Sequence, residues 1–462
     1  MQAEQRGSET QAPKIERVDV IVVGGGPGGS TVSTFLARKG YRVTVLEKES
    51  HPKFHIGESL LPCNMPILED VGVMDQLKSI GVVKLGADFA LATDEDWRTY
   101  YFCKSLNRTP PHAYEVRRSE FDEMLFRNAA KNGVDTRERV KVTDVAWSGG
   151  SRNEPKRCHV KAETATGEKL AFEGRYFIDA TGRDTLLSKK LNLKKKNPNH
   201  GTAAIFGHFK NVVRRPGADQ GNISIYWFDH GWMWFIPLKD DVMSVGAVCW
   251  PEYLKTRKGS TSDFLWDTLK LAPKAYERMK DATLMGEVRA TGNYSYTSDK
   301  MTGPGWLMVG DAFAFIDPVF SSGVYLAMNS ARMGAEVVDR ILRDPSCEAR
   351  AQAEFEQRIR KGIGAFSFFI YRFTTPAMRW IFQNPRNVYR LEEAVISMLA
   401  GDVFDSKEVE KRFLALRALY AVRTAMEWKA SLKNFVLRRR NALSIFRGVT
   451  TAEGQPDTLG FK

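Results

Sequence analysis

The first concentrated hydrophobic run is Val18-Asp19-Val20-Ile21-Val22-Val23, whose β-branched residues predict a strand buried on both faces. It passes straight into Gly24-Gly25-Gly26-Pro27-Gly28-Gly29. Ser30 to Lys39 then predicts a helix and Tyr41 to Leu46 a second strand, so the chain opens on a βαβ unit. Glu47 ends that strand eighteen residues after Gly29, where an acid accepts hydrogen bonds from a ribose hydroxyl. Strand, glycines, helix, strand and acid in this order mark a dinucleotide site, with Gly24, Gly26, Pro27, Gly29, Ser30, Glu47 and Lys48 as candidate contacts.

That fingerprint serves NAD and FAD alike, and two later apolar runs separate them. Tyr176-Phe177-Ile178-Asp179-Ala180-Thr181-Gly182-Arg183 predicts a strand ending in small residues, and Trp306-Leu307-Met308-Val309-Gly310-Asp311-Ala312 predicts another. With FAD extended across such a sheet, Asp311 at a strand end can bond the ribityl chain while the next helix N-terminus faces the isoalloxazine. FAD is therefore the expected cofactor.

Further along, the spacing changes. Gly231-Trp232-Met233-Trp234-Phe235-Ile236-Pro237 sets two tryptophans one residue apart, which names no chemistry by itself. Phe366 to Phe382 is dense in aromatics at helical spacing, the pattern of core packing or of a channel lining. Lys407 to Arg447 is basic and helical in pattern, with Arg438-Arg439-Arg440 in a row. A solvated face, a dock for an acidic carrier protein and attachment to an anionic membrane surface all fit it. Few interleaved aromatics argue against nucleic acid.

Composition narrows the picture in three ways. The length of 462 residues allows two or three units: a disordered tail at 1–16, an FAD-binding body at 17–360 with substrate-sheet segments near 80–115 and 200–300, and a helical region at 361–462. A net charge of +13 favours acidic partners such as phosphorylated cofactors, acidic carriers or membrane surfaces. Cys63, Cys103, Cys158, Cys249 and Cys347 are scattered and without CxxC spacing, which argues against a metal site or disulfides and for a cytoplasmic setting. Met1 to Ile15 lacks the apolar core of a signal peptide, no run is long enough to span a membrane, and Thr451 to Lys462 reads as a loose tail.

These elements together resemble the FAD-dependent aromatic hydroxylase fold, in which Val116-Arg117-Arg118-Ser119-Glu120-Phe121-Asp122 matches the helix start whose arginine approaches FAD. Arg118 aligns better than Arg117. Within that fold, over residues 17 to 405, the chain resembles the flavin-dependent halogenases. Trp232-Met233-Trp234-Phe235-Ile236-Pro237 matches their WxWxIP signature. His55-Ile56-Gly57-Glu58-Ser59-Leu60-Leu61-Pro62 and Asp317-Pro318-Val319-Phe320-Ser321-Ser322-Gly323-Val324 match two further segments of the family. Asn384-Pro385-Arg386-Asn387 and Ser397 to Phe404 are similar to the C-terminal helices of members acting on phenols and pyrroles.

The resemblance implies an α/β fold with a Rossmann-like FAD-binding domain, an antiparallel substrate sheet and a C-terminal helical region. It implies that reduced FAD, oxygen and chloride or bromide yield hypohalous acid, which halogenates an electron-rich ring. Gly310, Asp311, Gly323 and Val324 would contact the flavin, and Ser322 and Gly323 would hold the halide at a helix N-terminus. Lys84, in Val83-Lys84-Leu85-Gly86-Ala87-Asp88-Phe89, would be the catalytic lysine that hydrogen-bonds hypohalous acid or forms a haloamine, with Lys78 the weaker candidate. Trp232, Trp234, Ile236 and Pro237 would form a wall between flavin and substrate.

Tryptophan-type members carry a glutamate where this chain has Phe320, which points to a phenolic or pyrrolic ring, free or carrier-tethered, rather than free tryptophan. His112, Tyr100, Tyr101 and Phe102 could line the substrate pocket or pack the strands. No second nucleotide fingerprint appears, so a separate flavin reductase is the expected source of reduced FAD. A monooxygenase or prenyl reductase of the same fold, and a flavin-bearing module that docks a carrier or membrane without catalysis, are the rival expectations.

Overall fold

A computed structural model describes residues 13–447 apart from 92, 94, 95, 108, 150–155, 198–200, 293 and 294. Its first layer is a six-stranded sheet in the order Thr302–Gly303, Trp306–Met308, Tyr176–Asp179, Val20–Val23, Val43–Leu46, Asp135–Arg137. The last five of these run parallel. All four residues of Val20–Val23 are buried, as its β-branched run requires of a central parallel strand. The strand begins at Val20 rather than Val18, because the Asp19 carboxylate accepts the Arg42 backbone N–H and its carbonyl accepts those of Arg175 and Tyr176.

The expected first helix starts three residues early, at Pro27, and runs to Arg38. Proline suits the first helical position because its fixed φ is helical and its missing N–H has no partner to lose. The tail expected at 1–16 needs correction at its end. Ile15–Arg17 is a strand parallel to Ala171–Glu173, held there because Arg137 donates to the Glu16 carboxylate at 2.7 and 2.5 Å. Residues 1–12 and the expected tail at 451–462 lie outside the described residues.

A seven-stranded sheet forms the second layer, in the order Thr283–Thr291, Ala203–Lys210, Val242–Cys249, Gly231–Pro237, Ile223–Phe228, Gly86–Leu91, Arg98–Tyr101. It is antiparallel except where Ile223–Phe228 pairs with Gly86–Leu91. Gly231–Pro237 is buried throughout, so the two-residue period sorts its side chains between two cores. Trp232, Trp234 and Ile236 join the core shared with the first sheet. Met233 and Phe235 face the other way, packing with Phe264, Leu265 and Leu269 of the Thr261–Lys270 helix. A separate two-stranded sheet pairs the short strand Val82–Lys84 antiparallel with Ala113–Glu115.

Helices close the structure. Ser322–Arg343 packs across Pro27–Arg38, and Glu348–Ile370 lies against it. The aromatic segment divides where Pro376 begins a new helix, Pro376–Gln383, capped by the Thr375 hydroxyl. The basic C-terminal run forms two helices, Lys407–Met426 and Trp428–Arg447.

Candidate active site

The carboxyl ends of the parallel strands point into one cavity of about 750 Å³, where open α/β sheets bind their ligands. Val23 leads to Gly24, Gly26, Pro27 and Gly28 on its wall, Leu46 to Glu47 and Lys48, and Val309 to Gly310 and Asp311. Two glycines are required by close backbone. A Cβ on Gly24, at φ +102°, would sit 2.3 Å from the Ala180 carbonyl oxygen, and one on Gly29 would sit 1.8 Å from that of Gly24. A Cβ on Gly26 would meet no atom within 4 Å, so that position opens on the cavity. The glycines thus fold the turn tightly and leave its backbone bare to a ligand, which fits a bound pyrophosphate.

Glu47 accepts the Gly25 N–H at 2.7 Å and the Glu49 N–H at 2.9 Å, with Lys53 Nζ 2.8 Å away. Burial pushes its carboxyl up, but Lys53 and the two backbone donors outweigh burial and hold it below the ordinary carboxylate range. It is therefore an anion fixed beside the glycine turn, where a ribose would lie. Lys48 pairs with Asp184 at 2.5 Å across the same end of the cavity. Ser30 is buried, and its hydroxyl donates to the Gly25 carbonyl at 3.0 Å, so it braces the turn and is not on the cavity wall.

The two candidate arginines stand in different places. Arg118 lines the cavity, clamped to Asp122 by two bonds of 2.8 and 2.9 Å and to the Ile56 carbonyl at 3.0 Å. Arg117 instead bonds Glu120, Asp240 and the Lys239 carbonyl. Burial works against the Arg118 charge, yet Asp122 keeps it firmly protonated. Asp311 also faces the cavity, and burial raises its carboxyl to about 6 although Arg183 and Arg118 pull it down.

At the far end, the Asp317 carboxylate caps the turn by accepting the Val319 N–H at 3.2 Å and takes the Thr202 hydroxyl at 2.9 Å. Ser321 follows with φ 56°, a left-handed conformation unusual for serine, and the Ser322–Arg343 helix begins. Gly323 and Val324 line the cavity. Ser322 is 1% exposed, and its hydroxyl has no hydrogen-bond partner among the described residues. Ser322 itself is not on the cavity wall, but its buried, partnerless hydroxyl stands at the helix N-terminus between Ser321 and Gly323, which are, and such a group fits an anion such as a halide.

Trp232, Trp234 and Ile236 also line the cavity, and Pro237 does not reach it because its odd register sends it to the other face. The Trp232 and Trp234 rings lie 5.8 Å apart, and Trp234 has room because residue 246 is glycine, where a Cβ would fall 2.4 Å from its ring. Behind Trp232 stands a packed aromatic cluster: Phe373 is 6.5 Å away, and Phe320, Trp227 and Phe382 surround Phe373 at 5.3, 4.8 and 5.8 Å. Tyr100, whose hydroxyl donates to the Phe382 carbonyl, belongs to this cluster, and its burial is core packing.

Lys84 is 2% exposed and stands one hydrogen bond behind the cavity wall. Its ammonium donates to the Ser59 hydroxyl at 2.7 Å and the Leu60 carbonyl at 3.1 Å, and Ser59 itself lines the cavity. Glu115, on the strand paired with that of Lys84, is 0% exposed and brings a carboxylate oxygen to 3.9 Å from Nζ. Phe102 lies 5.3 Å beneath the same ammonium. Burial lowers the Lys84 pKa while Glu115 opposes it, and burial raises Glu115 to about 7 against the pull of Lys84. Lys78, by contrast, is an exposed helical residue paired with Asp75. Ser59 and Glu115 were not singled out from the sequence; Glu58-Ser59 sits in the quoted IGES segment, but nothing marks Glu115 except its place two residues before Arg117.

The cavity at the ends of the parallel sheet has the glycine turn and fixed acid that a dinucleotide needs. An FAD binding domain family matches residues 17–342. The chain is 35% identical over 347 residues to a tryptophan 2-halogenase of Chondromyces crocatus, covering 74% of this chain and 65% of that protein. A 1H-pyrrole-2-carbonyl-[peptidyl-carrier protein] chlorinase of Pseudomonas fluorescens is 28% identical over 418 residues, covering 85% of this chain and 91% of that one. Among solved structures, the myxobacterial chondrochloren halogenase superposes with a TM-score of 0.72 at 34% identity, over 87% of this chain and 97% of that chain. The chain belongs to the flavin-dependent halogenases and is an FAD-dependent enzyme.

Proposed function

We propose that this enzyme uses chloride or bromide to halogenate an electron-rich phenolic or pyrrolic ring, and that Lys84 is its catalytic residue. FAD, when bound and reduced, supplies with oxygen and halide the hypohalous acid that is the halogenating agent. Gly24, Gly26, Pro27, Glu47, Lys48, Arg118, Gly310, Asp311, Gly323 and Val324 hold the cofactor, with Gly29 and Ser30 shaping its turn. Ser322 and Gly323 hold the halide, where the Ser322 hydroxyl lacks another partner and the helix dipole favours an anion. Trp232, Trp234 and Ile236 keep an organic substrate from the flavin and let a molecule the size of hypohalous acid pass. Lys84, one hydrogen bond behind the wall, donates to the Ser59 hydroxyl that lines the cavity, and through that contact its ammonium orients the acid toward the ring.

The observation that carries this reading is the buried Lys84 joined through Ser59 to the wall of the cavity that Trp232 also lines. Phe320 stands in the aromatic cluster without a carboxylate, so the ring itself must be reactive. Position 2 of the indole ring, named for the Chondromyces relative, is also a pyrrole-ring carbon. The name of the Pseudomonas relative supports a carrier-tethered substrate. A separate flavin reductase as the source of reduced FAD is part of the same proposal. A cytoplasmic setting goes with five cysteines that form no disulfide, and no helix among the described residues is long and apolar enough to cross a membrane. The partition into an FAD-binding body at 17–360 and a helical region at 361–462 is part of the same proposal. Incubating the protein with reduced FAD, bromide and either phenol or a pyrrole carboxamide tests it: brominated products support it, and hydroxylated or reduced products alone overturn it.

A further inference from the structure

We propose that the last helix docks the protein on an anionic lipid surface. From Trp428 to Arg440 this helix carries Lys429, Lys433, Arg438, Arg439 and Arg440 and not one acid. Along the same stretch Trp428, Leu432, Phe435 and Val436 are each more than half exposed. Their spacing of four, three and one places them on one side of the helix, about 12 Å from end to end. On the preceding helix, Val422 and Met426 are likewise 58% and 68% exposed. Hydrophobic side chains this large are not left in water as a continuous stripe on a typical protein surface.

The helix is held by its other side. It packs on Pro251–Leu254, Pro376–Gln383 and Lys407–Met426, and the Arg438 guanidinium turns inward to lie 5.7 Å from the Trp250 ring. The apolar stripe is therefore what the packed helix presents outward. Lys429 and Lys433 follow Trp428 and Leu432 by one residue each, and Arg439 and Arg440 follow Phe435 and Val436 by a turn. Cations thus flank the apolar side chains on the same outward surface.

Charge selects the occupant. A second copy of the chain would bring the same unbalanced cations face to face, so self-association is disfavoured. An acidic protein would match the charge, but the stripe is the convex face of a helix with cations between its apolar groups, not an apolar hollow rimmed by charge. A lipid interface conforms to such a face: aromatic and aliphatic groups sink to the acyl boundary, while lysine and arginine extend to anionic headgroups.

The test uses the full chain loaded with FAD and vesicles of pure phosphatidylcholine or of phosphatidylcholine mixed with phosphatidylserine. Flotation at low and high salt should show binding to the mixed vesicles only, weakened by salt, with a blue-shifted tryptophan emission that Trp428→Phe abolishes. Trp428→Ala and Phe435→Ala should each weaken binding on the order of tenfold. Lys429→Gln and Lys433→Gln should each weaken it about fivefold. FAD content and melting temperature should stay at the wild-type level in all five, since these side chains are exposed. Equal binding to both vesicle types, no binding, or capture by an acidic carrier domain with no vesicle binding would overturn the proposal.

Discussion

The buried Lys84–Glu115 pair makes a quantitative prediction. At 3.9 Å and an effective dielectric constant of about 20, their attraction is about 4 kcal/mol. Glu115→Gln leaves the Lys84 ammonium with its two hydrogen bonds but without a counter-charge, and Lys84→Met leaves the carboxylate alone in the core. Each single change should destabilise the FAD-loaded protein by about 3–5 kcal/mol near pH 8, reduced by whatever the orphaned group recovers by changing its protonation. The double variant removes both charges, so its cost should fall short of the sum by about 2–4 kcal/mol. Urea unfolding of the four proteins measures this coupling. The sign with pH follows from Glu115, whose carboxyl titrates near 7 in the fold against 4.5 when unfolded. Its raised value favours the protonated form, so its own contribution to stability is present below 4.5 and lost as pH rises through 7, while the coupling to Lys84 grows over the same rise. Additive single costs at pH 8, or coupling that is no smaller at pH 6, would refute the ion pair.

Three further outcomes follow from the cavity. Gly29→Ala should abolish FAD retention after gel filtration while the protein stays folded, because a methyl group 1.8 Å from the Gly24 carbonyl must displace the turn. Asp311 titrates near 6 in the fold, above its ordinary 3.8, so Asp311→Asn should flatten the loss of apoprotein stability that this group imposes between those two pH values; an unchanged melting-temperature profile would show the carboxyl is not desolvated. Trp232→Ala should cost about 3–5 kcal/mol through the cavity it leaves and shift products from halogenated toward hydroxylated ring, read by mass, if the tryptophan wall is what separates the two chemistries.

Much of the fold was legible because local rules and tertiary structure agree. The β-branched run at Val20–Val23 is a central buried strand, and the glycines after it make the close approaches that only glycine permits. The exclusion of Pro237 from the wall was legible in principle, since a two-residue period separates it from Trp232 and Trp234. The surroundings of Lys84 were not. Ser59 and Glu115 stand 25 and 31 residues away in sequence and meet the lysine only because Ala113–Glu115 pairs with Val82–Lys84 and Ser59 bridges to Glu115. A buried glutamate looks like any surface glutamate in a sequence until the strand register is known. The strand at Ile15–Arg17 is not legible in the sequence for a similar reason, as its partners lie more than a hundred residues on.

The central claim, that Lys84 directs hypohalous acid to an electron-rich ring, is tested most directly by comparing wild type and Lys84→Met with equal FAD loading, reduced FAD, bromide and phenol, with products read by mass. The account predicts brominated phenol from the wild type and none from the variant, while both consume reduced FAD and oxygen. Undiminished bromination by Lys84→Met would contradict it.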